Sequence, residues 1–174
     1  MSTRAMVGYL NKDTNKVTGI YSHWDGYPSG LGVILQHYYN NRRRALRLVE
    51  GGDISSINWD SGQALYYADR STWSDFDYTK KQWKKHSANY NKDEKWDDVK
   101  PKRYDNLDDF IFHNLRDDSM IAFLYIFDDG RWRCFRKGYK TKVVEEMDLD
   151  IKYLEKCRKK EPKVLKTIKR KKVA

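Results

Sequence analysis

An unbroken apolar run of eight residues, Met120 to Phe127, constrains this chain more than any other segment. It is far too short to span a bilayer, which takes about 20 residues of helix. Its Ile, Phe and Tyr content suits a central strand covered on both faces, with a buried helix segment as the alternative that periodicity leaves open. The turn Asp128-Asp129-Gly130 follows, and Arg131 to Lys137 reads as a polar-edged strand returning beside it in a hairpin. A strand that is apolar on both sides needs helices or a second layer against each side.

Candidate partners for that strand lie at the N-terminus. Arg4 to Leu10 and Val17 to His23 read as strands joined by the polar turn Asn11-Lys12-Asp13-Thr14-Asn15-Lys16, a second hairpin. From about Ser29 to Asn41, Leu31, Ile34, Leu35 and Tyr38 recur at helical spacing and form one buried stripe. A short helix over Arg43 to Glu50 ends at Gly51-Gly52. Asn106 to Leu115 is a further helix, with Asp105 or Asn106 as its cap, Asp108 and Asp109 at its positive end, and Leu107, Phe110, Ile111 and Leu115 as its stripe. A last helix is expected over Asp148 to Lys160. Residues 69–104, rich in Trp, Tyr, Lys and Asp, read as an irregular excursion with at most one helix, about Tyr78 to Ala88. The expected fold is α+β: a mostly antiparallel sheet of about four or more strands with helices packed on it, in one domain over 1–161. Residues 162–174 form a basic, flexible tail.

The charge is concentrated at one end. The 174-residue chain carries a net +10, and residues 151–174, with eleven Lys/Arg and two Glu, account for +9 of it. That concentration points to an acidic partner, either nucleic acid or an acidic host protein. Two cysteines, Cys134 and Cys157, have no CxxC or Cys/His ligand spacing, so neither a zinc site nor any other metal or cofactor is expected. The N-terminus has no long apolar segment of the signal-peptide kind, which fits a cytoplasmic protein with reduced thiols and no integral membrane span.

Three kinds of residue could carry chemistry. In Tyr21-Ser22-His23-Trp24-Asp25-Gly26-Tyr27-Pro28-Ser29-Gly30-Leu31-Gly32, the residues Gly26, Gly30 and Gly32 would let backbone amides approach an anion at a helix N-terminus. His23 and Asp25, two apart in a strand, would share a face as a general acid/base pair. The plainer alternative is turn glycines, a capping Asp and a satisfied histidine. Basic clusters are the second kind. Arg42, Arg43 and Arg44, with Arg47, sit at a helix junction. Lys80, Lys81, Lys84 and Lys85 flank Trp83, and the C-terminal end holds Arg158, Lys159, Lys160, Lys169, Arg170, Lys171 and Lys172. These could neutralise phosphates while neighbouring aromatics stack on bases, or they could be solvated surface. The third kind is Ser2, which removal of Met1 would expose. Ser2-Thr3-Arg4 with Asp25 looks like the start of the bile-salt-hydrolase type of N-terminal nucleophile enzymes, with serine in place of the usual cysteine and over only the first 25 residues.

A broader likeness covers about the first 60 residues. Through Ser2-Thr3-Arg4, Ile20-Tyr21-Ser22-His23-Trp24-Asp25-Gly26-Tyr27-Pro28, Leu35-Gln36-His37-Tyr38-Tyr39 and Gly52-Asp53-Ile54-Ser55-Ser56, the chain resembles a group of short, uncharacterised bacteriophage proteins. The resemblance implies a phage origin and an accessory role in the infected cell, in host takeover or in evading host defence. The leading expectation is thus a non-enzymatic binder of nucleic acid, or of a nucleic-acid-handling host complex, in the host cytoplasm. The alternative is a small hydrolase or transferase acting on a phosphate-bearing substrate at the 22–32 turn with His23 and Asp25.

Overall fold

The computed structural model describes residues 2–75, 94–150 and 152. The elements run β1 (Arg4–Leu10), β2 (Val17–Ser22), a π-helical turn (Pro28–Gly32) leading into α1 (Val33–Tyr38), α2 (Arg42–Glu50), β3 (Ile54–Ile57) and β4 (Ala64–Tyr66). A 3-10 turn (Arg70–Asp75) follows, then α3 (Trp96–Val99), β5 (Lys102–Tyr104), α4 (Leu107–Asn114), β6 (Ile121–Asp128), β7 (Arg131–Lys137) and β8 (Val144–Met147). Among the described residues the eight strands belong to one sheet, in the order β4-β3-β2-β1-β6-β7-β8, with β5 laid beside the first half of β2.

The apolar run does become a central strand. Along β6, Tyr125 and Phe127 face one layer while Leu124 and Ile126 face the other. β1 alternates in the same way, with Ala5, Val7 and Tyr9 on the first side and Met6 and Leu10 on the second. The first face is covered by α1 and α2 through Leu31, Ile34, Leu35, Ala45, Leu48 and Val49. The second is covered by α4, whose Phe110 ring lies over Gly8 and Gly19, register partners in the β1–β2 hairpin. Both hairpins read from the sequence form, as do the helices over α2 and α4. Asn106 caps α4, its side chain accepting from the Asp109 N–H at 2.8 Å.

The sheet itself corrects the expectation of a mostly antiparallel arrangement. It is mixed: β1 pairs with β6 in parallel, and β2 meets β3 in parallel at Ser22 and Ile54. Turn chemistry reveals only the antiparallel hairpins between sequence neighbours, whereas the β1–β6 pairing joins segments more than a hundred residues apart. The helix expected over 29–41 is also modified. Pro28 sits in its first turn, the backbone is wound as a π turn to Gly32, and the α-helix ends at Tyr38. Strands β3, β4, β5 and β8 were not visible as sequence patterns, being short and, in Ser55-Ser56 and Lys102-Arg103, polar.

Several aromatic side chains fasten loops by their polar tips. The buried Tyr125 hydroxyl donates to the Gly26 carbonyl at 2.7 Å, Tyr39 to Gly62 at 2.6 Å, Tyr66 to Leu48 at 2.9 Å, and the Trp132 indole to Tyr39 at 2.9 Å. Cys134 is fully buried in the first core and its thiol is pushed up to about 12 by desolvation, which makes it inert at neutral pH. Among the described residues no helix is long and apolar enough to cross a membrane, and no cluster of His, Cys, Asp or Glu is placed to hold a metal ion. The expected helices over 78–88 and 148–160 fall wholly or largely outside the described residues, as does Cys157.

Candidate functional site

Two polar regions stand out, one on each face of the sheet. The first is a groove between α2 and the β5 edge. Its floor is Tyr9 and Thr18, one wall is Arg42, Leu46 and Glu50 of α2, and the other is formed by Trp96, Lys100, Pro101 and Arg103 with Lys16 at the rim. The wall on α2 follows from helical geometry, because residues 42, 46 and 50 succeed one another along one side. The same geometry splits the arginine triplet. At about 100° per residue, Arg43 and Arg44 turn away from the groove that Arg42 lines. Arg47 is also exposed, near the Tyr66 phenol on whose ionisation it acts.

The opposite wall depends on a tight junction after α2. Gly52 has φ +86°, and a Cβ there would come within 2.5 Å of the Val99 carbonyl and 3.2 Å of the Trp96 ring. The Asp53 N–H donates to that same carbonyl at 2.8 Å. This anchors α3, whose Val99 is buried while Trp96 stays 49% exposed. Pro101 stops the helix, and β5 then carries Arg103 opposite Thr18 of β2, on the groove side of the sheet. Lys16, Arg42, Lys100 and Arg103 are all exposed, against a single carboxylate, Glu50. Their local partners are weak: Lys100 pairs with the exposed Asp97 at 2.9 Å, and Arg42 approaches Asp13 only at 4.0 Å. The basic residues flank a half-exposed indole, so the groove can hold a phosphate chain and stack one base.

The second region is on the other face, past the end of α4. Arg4, Tyr21 and His23 lie there with Asp53, Ser55 and Tyr67. The Tyr21 hydroxyl is 2.7 Å from Nδ1 of His23, and the Tyr21 N–H donates to Oδ1 of Asp53 at 2.8 Å. Burial, with help from Arg4, lowers the His23 pKa. Tyr67 and Trp73 stack on the Arg70 guanidinium, 5.2 and 4.1 Å from its centre.

The geometry redistributes the roles expected at the 22–32 turn. His23 is partnered by Tyr21, not by Asp25. Asp25 adopts φ +56°, and its carbonyl accepts from the Leu31 N–H at 2.9 Å, so it acts as a turn residue. Gly26, Gly30 and Gly32 are buried and closely packed: a Cβ on Gly26 would lie 2.6 Å from the Thr3 carbonyl, and one on Gly30 2.5 Å from that of Asp25. The Gly26 and Gly30 amides are already bonded, to Thr3 and Tyr27. The Gly26 bond also draws the start of β1 to this turn. Lys80, Lys81, Trp83, Lys84, Lys85, Arg158, Lys159, Lys160, Lys169, Arg170, Lys171 and Lys172 lie outside the described residues. Sequence reasoning missed Lys16, Trp96, Lys100 and Arg103 as a group. For three of them the visible signal was the stretch Lys95-Trp96 to Lys100-Pro101-Lys102-Arg103, where one Trp stands close to four cations; Lys16 lies apart, in the turn before β2.

Asp53 makes the second region sensitive to pH. Its position joining β2, α3 and the strand after it buries the carboxyl enough to raise its pKa to about 6, although the Tyr21 N–H and Lys102 oppose the rise. A carboxyl whose pKa is higher folded than unfolded, where it is about 3.9, favours folding when protonated. That contribution is complete below about pH 4 and is lost as pH rises through about 6. Asp53→Asn should therefore raise the melting temperature above pH 6.5 by about 2–4 °C, the effect of roughly 1 kcal/mol in a chain of this length, and leave it unchanged near pH 4. Thermal melts of both proteins across that range check this, and an equal offset at both ends would contradict it.

Comparison with protein-family models, with curated proteins and with solved structures finds no match to this chain, so its sites are defined by the geometry of their own residues.

Proposed function

We propose that the protein binds single-stranded nucleic acid in the groove between α2 and β5. The observation that carries this reading is the convergence of Lys16, Arg42, Lys100 and Arg103, from four separate elements or loops, around the half-exposed Trp96. A basic track beside an aromatic platform suits unpaired nucleotides, because every base has a face to stack and every linkage a phosphate to neutralise. The net +9 of residues 151–174 adds sequence-independent attraction and speeds encounter. Taken with the likeness to short phage proteins, the activity is that of an accessory factor in the host cytoplasm. It engages nucleic acid, or a host complex that handles it, in host takeover or in evading defence.

Trp96→Ala tests the reading directly. Fluorescence anisotropy with a labelled single-stranded oligonucleotide should show affinity reduced about tenfold, within the 1–3 kcal/mol per stacked base. The salt dependence should stay unchanged, because no cation is lost. Unaltered affinity would mean that Trp96 does not stack and that binding, if any, is purely electrostatic. If the native chain fails to bind the oligonucleotide at low salt, an acidic protein partner becomes the better account of the groove.

A further inference from the structure

We propose that Arg4 and His23, with Tyr21 behind them, form an anion site that takes a phosphate group on the sheet face opposite the groove. The β1–β2 register runs to Ala5 opposite Ser22, which brings Arg4, one residue before, near His23, one residue after, and Arg4 is the charge that acts on both His23 and its partner Tyr21. Cross-strand neighbours of this kind project to the same side with their Cβ atoms about 5 Å apart. Strand alternation puts Arg4 on the side of Met6, Gly8 and Leu10, whereas the groove lies on the side of Tyr9. The α4 stripe covers this face as far as Tyr21 and Ile121, and Arg4 and His23 lie beyond it, only partly buried.

The Arg4 guanidinium is the least satisfied group here. Its Nε is buried and has no hydrogen-bond partner, one Nη donates to the soft Met120 thioether, and no carboxylate pairs with it among the described residues. A partly desolvated cation without a counter-charge is costly to hold and favours an incoming anion. His23 supplies the second donor. The Tyr21 hydroxyl, 2.7 Å from Nδ1, fixes the orientation of the ring. With Nδ1 engaged by Tyr21, Nε2 is the ring nitrogen left to donate to a ligand, as it does in the imidazolium and in the Nε2–H tautomer. A guanidinium at the start of β1 and an imidazole N–H just past the end of β2 can each take a different oxygen of one tetrahedral phosphate. The other titratable neighbours are Asp53 and Tyr67, which act on Tyr21, while Arg4 is the charge that acts on His23. A phosphate bound between the two would replace the repulsion of Arg4 on the imidazolium with attraction, and the His23 pKa would rise.

The test is an NMR titration of the histidine Cε1–H signals in the full chain, in chloride buffer with and without inorganic phosphate. Without phosphate, His23 should titrate below its ordinary value. With about 20 mM phosphate, above the millimolar Kd of a two-donor site, its midpoint should rise by about one pH unit, saturably, while His37 and His113 stay in place. Arg4→Gln should remove the phosphate-dependent rise with an unchanged circular dichroism spectrum. Tyr21→Phe, which leaves Nδ1 without its hydrogen-bond partner, should cut the rise to less than half and serves as the deciding variant if Arg4→Gln does not fold. A His23 midpoint indifferent to phosphate overturns the proposal, as does an equal rise in all four histidines or an undiminished rise in either variant. The groove's cations lie on the other face, so this result and the oligonucleotide result stand or fall separately.

Discussion

Replacing Lys16 and Arg103 together by glutamine should weaken binding to a single-stranded oligonucleotide by about 60-fold at 50 mM salt and about tenfold at 200 mM. Those values follow from losing two phosphate contacts, each worth a slope of about −0.7 in log affinity against log salt. The diagnostic result is the slope, which should become shallower by about 1.4 relative to the native chain. These two residues are the right pair because they are exposed, have no ion-pair partner among the described residues, and line the groove at its rim and along its β5 wall. Neither supports the core, so melting temperature should be almost unmoved. Removing residues 151–174 should also flatten the slope, and it should add to the double substitution because the two sets of charges act independently. A double variant that keeps the native slope would show that the groove does not contact phosphate and that the basic C-terminal segment accounts for whatever binding is seen.

The largest effect on stability should come from Phe110→Ala. The side chain is fully buried, and positions where Cβ atoms would stand on Gly8 and Gly19 are only 3.1 and 2.7 Å from its ring. The two glycines face each other across the hairpin and leave a trough that the ring fills, with Tyr104 edge-on at 5.0 Å. Neither glycine can collapse into the space that truncation would open, so the full cavity cost applies, about 3–5 kcal/mol. In a chain of this size that is a fall of about 10 °C in melting temperature, with a matching shift in the urea midpoint. A loss below about 1 kcal/mol would mean that α4 contributes little to holding the second face. Phe110 is remote from the groove, so any folded fraction of this variant should bind oligonucleotide as the native chain does.

The two regions are built in different ways. The groove is assembled from a helix wall, a strand edge and one turn of helix held by a left-handed glycine. Its charge is set by residues that are separated in sequence by up to 87 positions, from Lys16 to Arg103. The Arg4–His23 pair, by contrast, arises within a single hairpin. Its composition depends on strand alternation, and its unsatisfied charge depends on where α4 stops covering the sheet.

Local sequence determined the parts whose forces act over a few residues. The apolar run at 120–127 favoured a strand covered on both faces over a buried helix, and Asp129-Gly130 and the polar turn at 11–16 favoured returns of the chain. The spacing of Leu107, Phe110 and Ile111, with Asn106 before them, required a capped helix. Tertiary structure decided the rest. The parallel β1–β6 pairing joins distant segments that bury their matching faces only once both helical layers are in place. Strands β3 and β5 are too short and polar to announce themselves, and they are ordered by the edge of β2 that they complete. His23 took Tyr21 as its partner because Asp25 was drawn into a left-handed turn by packing at Gly26 and Gly30. One arginine of three came to face the groove because a helix distributes neighbours around its axis, and which side meets a groove is settled only by what packs against the others.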